Sequence, residues 1–285
     1  AGQMSKLPVA CVQFTAGLQW SDHAEEVARL IRMAAGTGAK FIATPENTGG
    51  MVKNREELKE QAPTIDTHPA VPAFSELARE TGAWLLCGSV AVRPSAPASR
   101  PVNRSLLFAP DGSIAAHYDK IHLFDVDLPG GESHRESALF DSGDSAKLAD
   151  MGRIKLGLTI CYDLRFASLF RSLAQAGAEI ITVPSAFTVP TGEAHWEVLL
   201  RARAIETGAF ILAPAQTGLH PNGRRTWGHS LIIDPWGRVL ADAGDKPGVA
   251  VAVIELNRVR EVRQVLPQLE HDKPFSPPAS PTSGN

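Results

Sequence analysis

The sequence is poor in cysteine and contains no Cys-x-x-Cys pair. Only Cys11, Cys87 and Cys161 occur among its 285 residues, and they are far apart in the chain. An odd number of widely spaced cysteines argues against both a disulfide framework and a zinc site. We therefore expect a reducing, cytoplasmic setting.

Long apolar runs and blocks of like charge are also missing. No apolar stretch approaches the roughly 18 to 20 residues that span a bilayer, and the first six residues lack the basic-then-apolar order of a signal peptide. The 28 Lys and Arg against 31 Asp and Glu give a net charge of −3. We therefore expect neither a membrane nor a nucleic acid as a partner. The 44% of hydrophobic residues can bury a sizeable core.

Strand and helix patterns alternate in the first third of the chain, which is typical of a layered α/β fold. The apolar run 8–14 predicts a buried strand, and Ser21 is expected to cap the helix after it. Strands are predicted again at 41–44 and 84–92, with a helix over about 71–81 between them. The first helix has one apolar face, formed by Val27, Leu30, Ile31 and Ala34.

Hairpins interrupt this alternation in the middle and near the end of the chain. Strands 105–108 and 114–120 flank a Pro-Asp-Gly turn, and a second hairpin turns at 234–237. Residues 153–160 alternate apolar and polar positions as a strand does, and a last strand is predicted at 249–254.

The domain organisation follows from where Pro, Ser and Gly collect. Residues 94–101 form a Pro-rich loop, but no linker interrupts residues 7–270, so we expect one domain over that range. Residues 271–285 are expected to form a Pro/Ser-rich C-terminal tail without a packed structure of its own.

Cys161 is the cysteine whose position in the sequence indicates a catalytic nucleophile. It follows the strand 153–160 and precedes a predicted helix through Phe166, Leu169, Phe170 and Leu173. The N–H groups and positive dipole end of a helix favour a thiolate and can bind an oxyanion on a substrate carbonyl. A buried structural cysteine is the alternative, and it is the preferred interpretation of Cys11 and Cys87 within their apolar strands.

Two charged residues follow other predicted strands in the same way. Glu46 comes just after the strand 41–44, and Lys120 ends the strand that begins at Ile114. In open α/β sheets the active site lies at the carboxyl ends of the strands. Glu46 and Cys161 both have such a position, so Glu46 is the candidate base for Cys161. Solvated surface charges are the alternative for both residues, since spacing alone does not prove that they meet.

Three segments around these residues resemble the signatures of the nitrilase superfamily of carbon–nitrogen hydrolases. They are ATPEN at 43–47, YDKIHL at 118–123 and GLTICYDLRF at 157–166, and they occur in the order that the superfamily has. The resemblance covers about residues 7–270. It implies a four-layer αββα sandwich, an α/β fold, that pairs into an αββα–αββα homodimer.

The resemblance also implies the roles of several residues. Glu46, Lys120 and Cys161 match the catalytic trio, and Glu136 matches an additional active-site glutamate that positions it. The backbone N–H of Tyr162 is expected to join Lys120 in binding the oxyanion.

The branch of the superfamily follows from the residues around the motifs. Tyr162-Asp163 stands where nitrile-cleaving members carry Trp and Glu, which disfavours a nitrilase. HLFDVDLPG at 122–130 and HWEVLLRARAIE at 195–206 resemble the Nit branch of ω-amidases and deaminated glutathione amidases. The chain departs from that branch at Ala167-Ser168, where Pro-Glu is common.

The expected reaction is hydrolysis of the terminal carboxamide of a small acid to a carboxylate and ammonia, through an acyl-thioester on Cys161. No metal or organic cofactor is required. Deaminated glutathione is the favoured substrate; an ω-amidase acting on α-ketoglutaramate, a carbamoyl-compound hydrolase and a non-catalytic scaffold are the alternatives.

Two arginines and two residues after a predicted strand are the candidates for binding the substrate. Arg165 and Arg203 are the cations placed to bind a substrate carboxylate, although a structural ion pair is the alternative for each. Phe187 and Thr188 follow a predicted strand at 179–184 and are expected to line the pocket. For His195 a hydrogen bond at a helix end is favoured, and for Trp196 a place in the core.

Overall fold

Two six-stranded β-sheets form the centre of the molecule in the computed structural model, which describes residues 5–54, 56–58, 62–94 and 99–281. The first sheet consists of β1 (Lys6–Gln13), β2 (Phe41–Ala43), β3 (Trp84–Val92), β4 (Val102–Phe108), β5 (Ile114–Asp119) and β16 (Gly248–Glu255). Its strand order is β16-β1-β2-β3-β4-β5.

The second sheet has the order β15-β14-β11-β10-β9-β8. Its strands are β8 (Lys147–Met151), β9 (Ile154–Leu158), β10 (Ile180–Thr182), β11 (Phe210–Ala213), β14 (Leu231–Ile233) and β15 (Val239–Asp242). Two small hairpins lie outside both sheets, namely β6 (Asp125–Asp127) with β7 (Ser133–Arg135), and β12 (Thr217–Leu219) with β13 (Arg225–Trp227).

The α-helices cover the outer faces of the two sheets. The α-helices whose bounds lie wholly within the described residues are α1 (Ala24–Gly36), α2 (Ala70–Thr81), α3 (Ala167–Gln175), α4 (Val189–Thr191), α5 (Glu197–Thr207) and α6 (Asn257–Val265). Helices α1 and α2 pack on the first sheet, and α3 and α5 pack on the second. The inner faces meet in a core that joins Cys11 and Tyr118 of the first sheet to Leu158 of the second. The layers therefore follow the predicted αββα order.

Strand direction brings the site residues to one edge of the first sheet. Strands β1, β2 and β3 are parallel, whereas β4 is antiparallel to β3 and β5 is antiparallel to β4. Strand β5 therefore runs in the direction of β2 and β3. The carboxyl ends of β2 and β5 lie at the same edge, and Glu46 and Lys120 follow those ends.

The first helix begins differently from the prediction. The prediction that Ser21 caps it was wrong, because Trp20–Asp22 forms a 3-10 turn and His23 takes the N-cap position of α1. Burial of Trp20 against the rings of His23 and Phe74 explains the turn. The predicted apolar face of α1 is buried as expected, at Val27, Leu30, Ile31 and Ala34.

The two Pro-rich segments are only partly described, and residues 271–281 of the second are exposed. Positions 95–98 of the predicted loop 94–101 fall outside the described residues. In the predicted tail, residues 271–281 form no helix or strand, and residues 282–285 lie outside the description. The start of the tail is tied to α3, since Arg171 Nη2 lies 2.6 Å from Asp272 Oδ1. None of the described helices is both long and apolar enough to cross a bilayer.

Candidate active site

Cys161 lies in a strained turn between β9 and α3. Its backbone has a φ of +46°, in the left-handed region that side chains other than glycine avoid. Such conformations persist where surrounding contacts impose them, and they collect at active sites. Here the Cys161 N–H donates to Pro184 O at 2.9 Å, and the side chain is almost fully buried.

The helix predicted to follow Tyr162-Asp163 and run through Phe166 is present, but a turn separates it from Cys161. Cys161–Arg165 is a 3-10 turn, and α3 begins only at Ala167, with Phe166 as its N-cap residue. The cause is Asp163, whose carboxylate accepts the Ile160 N–H at 2.9 Å and tightens the turn. The free N–H groups next to the thiol therefore belong to this 3-10 turn, and the N-terminus of α3 lies further along the chain.

Glu46 is held by groups from three distant parts of the chain. Its Oε2 accepts hydrogen bonds from Asn103 Nδ2 at 3.0 Å and from Lys120 Nζ at 2.9 Å. Its backbone carbonyl accepts a bond from Gln216 Nε2 at 3.0 Å. The carboxylate is buried, and Asn47 behind it also has a left-handed φ, of +61°.

Lys120 lies between two carboxylates. Its Nζ is 2.9 Å from Glu46 Oε2 and 2.9 Å from Glu136 Oε1, and the side chain is 1% exposed. The Phe124 N–H donates to the same Glu136 oxygen at 3.0 Å. The structure thus brings together all four residues that the sequence motifs predicted as a site.

The electrostatics of the group favour a resting thiol rather than a thiolate. Burial raises the pKa of Cys161 and the Glu46 charge raises it further, whereas Lys120 opposes the increase. The Glu46 side chain and the Ala186 backbone both lie close enough to the thiol to shift its pKa, Glu46 upward and Ala186 downward. The group that can take the thiol proton therefore lies beside it.

Charge pairing keeps the lysine protonated. Burial alone would lower the pKa of Lys120, but the carboxylates of Glu136 and Glu46 more than compensate and raise it. Burial raises the pKa of Glu136, Lys120 opposes the increase, and Glu46 adds to it. The two glutamates thus share one cation.

Asp163 links the turn of Cys161 to the loop after β5. Its Oδ2 accepts a bond from Tyr118 OH at 2.6 Å, and its Oδ1 accepts one from the His122 N–H at 3.1 Å. His122 Nδ1 is 2.7 Å from the same Oδ1, and its ring stacks on Phe166 with centroids 3.6 Å apart. Lys120 lies between Tyr118 and His122 in the chain, so this fully buried carboxylate sets the distance from nucleophile to lysine.

The predicted substrate-binding residues lie together beside the nucleophile. A cleft with about 220 Å³ of empty space, counting the part open to solvent, reaches Cys161 and Tyr162. Its remaining lining comes from Phe124, Arg165, Ala186, Phe187, Thr188 and Thr191. The Arg165 guanidinium lies 5.7 Å from the centre of the Phe187 ring and has no carboxylate partner among the described residues.

Three other candidates lie outside this cleft. Arg203 donates to Leu164 O at 2.9 Å and pairs with Glu206 at 3.0 Å, so it supports the nucleophile turn from behind. Trp196 is buried and donates to the His229 carbonyl, which confirms its predicted place in the core. His195 is exposed, with Nδ1 3.2 Å from Arg165 Nη2.

Several residues at the site were not predicted. Asn103 and Gln216 hold Glu46 from positions 57 and 170 residues away, and no local pattern reveals such contacts. Asp163 was visible in the motif, but its fixed place after the cysteine did not indicate what it binds. Within the described part of the chain, no group of three His, Cys, Asp or Glu side chains has the arrangement of a metal site.

Comparison with known families agrees with the architecture and the motifs. The family model described as carbon-nitrogen hydrolase matches residues 8–264. The chain belongs to this family, and it is a hydrolase acting on carbon–nitrogen bonds other than peptide bonds. The resemblance to the Nit branch of the nitrilase superfamily is thereby confirmed.

Two amidases of nearly the same length are among the relatives. The chain is 42% identical to the deaminated glutathione amidase of Synechocystis sp. (strain PCC 6803 / GT-S), covering 92% of this chain and 96% of that protein. It is 36% identical to omega-amidase NIT2 of Homo sapiens, with 93% and 94% covered. The solved structure of the C. elegans NitFhit protein matches with a TM-score of 0.87 at 34% identity, over 94% of this chain and 65% of that one.

Proposed function

We propose that the chain is an amidase that cleaves the amide of a small, carboxylate-bearing acid, with Cys161 as its nucleophile. The observation that carries the proposal is the buried contact between Glu46, Lys120 and Cys161, which opens into a cleft with an Arg165 free of carboxylate partners among the described residues. A non-catalytic scaffold has no need to bury a lysine between two glutamates, since such burial is costly.

The proposed reaction begins with proton transfer from the Cys161 thiol to Glu46, whose charge lies close enough to raise the pKa of the thiol. The sulfur attacks the amide carbonyl, and Lys120 Nζ and the Tyr162 N–H bind the resulting oxyanion. Protonated Glu46 gives its proton to the departing nitrogen as the carbon–nitrogen bond breaks, which leaves a thioester on Cys161.

Water completes the cycle. Glu46 removes a proton from a water molecule, and the oxygen attacks the thioester carbonyl. The thiolate leaves and regains a proton from Glu46, and the acid is released. Glu136 keeps Lys120 in place throughout, because its Oε1 lies 2.9 Å from the lysine nitrogen.

Deaminated glutathione is the substrate that we propose, because it is named for several relatives at 38 to 42% identity. This compound has no primary carboxamide, so its cleavage at the α-ketoglutaryl amide releases cysteinylglycine rather than ammonia. An α-ketoglutaramate amidase, which releases ammonia, is the second candidate because omega-amidase NIT2 is 36% identical. Both substrates present the same acyl group with a carboxylate for Arg165.

We also propose a homodimer and a reducing, cytoplasmic setting. The dimer is supported by apolar side chains on the outer face of α5, where Val198 is 68% and Ile205 is 45% exposed. The apolar residues of α3 do not support it, because Leu169, Phe170, Leu173 and Ala174 are all buried within the protomer. The compartment is supported by the three cysteines, which are free and buried.

The nucleophile is tested by trapping the thioester. During turnover of deaminated glutathione, rapid acid quenching and intact-mass analysis should detect one α-ketoglutaryl group per chain, and peptide mapping should place it on Cys161. Cys161→Ala should lose all adduct and at least about a thousandfold of the rate, with an unchanged circular dichroism spectrum. An adduct on Cys11 or Cys87, or activity in Cys161→Ala, would refute the assignment. A folded wild-type protein that cleaves neither substrate would restore the scaffold alternative.

A further inference from the structure

A second cavity adjoins the cleft of Cys161, and the reaction above makes no use of it. Its empty space is about 1090 Å³, against about 220 Å³ for the cleft, both including the part open to solvent. Phe124 lines both spaces. The rest of its lining that matters here is Asn47, Lys53, His134, Glu136, Asn222 and Arg224. Its size is ample for a small-molecule ligand.

Arg224 is half-buried, whereas Lys53 and Arg135, which also line this cavity, are exposed. Its Nη2 donates to the Ala186 carbonyl at 3.0 Å, but its Nε is buried with no hydrogen-bond partner among the described residues. No carboxylate in the described part of the chain forms a salt bridge with it. By contrast, Arg135 is paired with Asp127 at 2.9 Å and His134 with Glu132 at 2.7 Å. Because the buried Nε is closed to solvent, an anion from outside the chain would reach Arg224 through the part of its side chain that lines the cavity.

The residues that line the large cavity and the cleft indicate which part of the substrate each one can hold. Glu46 delivers the proton to the departing nitrogen, so the leaving group departs on the Glu46 side. Asn47, next to Glu46, and Glu136 line only the large cavity. Arg165 and Tyr162 line only the cleft, which also contains Cys161, the residue that carries the acyl group in the proposed reaction. Ala186 connects the two, since it lines the cleft and its carbonyl accepts a hydrogen bond from Arg224.

We propose that the large cavity binds the amine leaving group and that Arg224 binds a carboxylate on it. Arg224 then selects amides whose leaving amine carries a carboxylate, as cysteinylglycine does, over primary carboxamides. The inference rests on the proposed function and adds a specificity-determining residue to the same site. Asn222 lines the cavity beside Arg224 and supplies a second hydrogen-bonding group to the same region.

The test compares two substrates with the same acyl group and different leaving groups. Deaminated glutathione releases cysteinylglycine, whereas α-ketoglutaramate releases ammonia. In Arg224→Gln, kcat/KM for deaminated glutathione should fall about 10- to 100-fold, mainly through KM, because a charge-assisted contact is lost. The value for α-ketoglutaramate should stay within about twofold. The neighbouring Arg225→Gln is the matched control, since Arg225 is exposed and lines neither space.

Folding of the variant is checked separately, because Arg224 also bonds the Ala186 carbonyl. If Arg224→Gln does not fold, Arg224→Lys serves, with an expected loss of about three- to tenfold on deaminated glutathione alone. As an independent readout, cysteinylglycine should inhibit α-ketoglutaramate hydrolysis by the wild type, and more weakly in Arg224→Lys.

Other outcomes of these experiments distinguish a failure of the Arg224 proposal from a failure of the amidase proposal. An equal loss on both substrates would overturn the role of Arg224, and so would a wild type that cleaves α-ketoglutaramate but not deaminated glutathione. Both results leave the amidase proposal intact. A wild type that cleaves neither substrate would refute the amidase proposal and this inference with it.

Discussion

At the scale of single residues, Asp163 shows how one buried carboxylate can order a whole site. It accepts hydrogen bonds from the Ile160 N–H, the Tyr118 hydroxyl and the His122 N–H, at 2.9, 2.6 and 3.1 Å. These donors come from the turn of the nucleophile and from both sides of Lys120. Asp163 does not reach the cleft, so we regard it as a positioning residue.

Asp163→Asn should therefore slow the reaction without weakening substrate binding. An amide has one acceptor oxygen, so its NH2 group would face a buried donor, at a cost of about 1–3 kcal/mol. We expect kcat to fall at least about tenfold, KM to change less than about threefold and the thermal midpoint to drop by several degrees.

Steady-state kinetics and thermal unfolding of the same preparation measure these effects. Asp150→Asn is the matched control, since Asp150 is exposed and its only described partner is Lys155 at 3.4 Å. An unchanged kcat in Asp163→Asn, or an equal change in the control, would contradict the positioning role.

The residue scale also shows where sequence reasoning ends. Glu46, Lys120, Glu136 and Cys161 were predictable because each belongs to a recognisable segment of the chain. The role of Arg224 was not predictable. It depends on the lack of a carboxylate partner among the described residues, and that can be seen only in the folded structure. The raised pKa of Cys161 was missed for a similar reason: the motif shows the turn but not the burial.

At the scale of elements, β3 supports the loop that carries Glu46. Gly88 of β3 lies directly beneath that loop. A Cβ atom there would be 2.1 Å from the Thr44 carbonyl oxygen and 2.3 Å from that of Pro45. Because both contacts are with backbone, no side-chain rotation can relieve them.

Gly88→Ala should therefore displace the residue next to the carboxylate base. We expect a loss of about 1–3 kcal/mol in the free energy of unfolding and at least about tenfold in kcat. Urea unfolding and kinetics measure the two effects. Gly36→Ala is the control, because a Cβ at this exposed position in α1 meets nothing within 4 Å. Wild-type activity in Gly88→Ala would show that the loop can move without consequence.

The elements were predicted best where they are long and apolar. Strands β1 and β3 and helices α1 and α2 lie within a few residues of the expected ranges. The hairpin β6–β7 was missed because its two three-residue strands lie at the surface and have little apolar periodicity. Helix α3 also lies where it was expected, but the 3-10 turn at Cys161–Arg165 before it was not predicted.

At the scale of the whole molecule, the expected dimer depends on which apolar side chains remain exposed on the folded protomer. The apolar face of α3 is used within the protomer. Exposed apolar groups remain on α5 at Val198 and Ile205, and Trp236 nearby in the chain's last hairpin is 52% exposed. Burial of such a face is the usual basis of a stable homodimer.

Light scattering of the purified chain should therefore give about twice the 30.5 kDa of one protomer. Val198→Glu should shift the mass towards the monomer, because a charge would be buried in the interface. Ile114→Glu changes an exposed apolar residue at the start of β5 and should leave the mass unchanged. A monomeric wild type would refute the dimer, and dissociation by Ile114→Glu would relocate the interface.

The division of the site between the two sheets has a consequence for protein engineering. Glu46, Lys120 and Glu136 precede residues 141–146, a segment without helix or strand, and Cys161 follows it. A chain divided in that segment separates the acid–base groups from the thiol, so neither fragment carries a complete catalytic set. The later fragment retains β16, which pairs with β1 over eight residues and can serve as the docking strand. The molecule thus already has the layout of a two-part reporter, in which amide cleavage signals that two tethered partners have met.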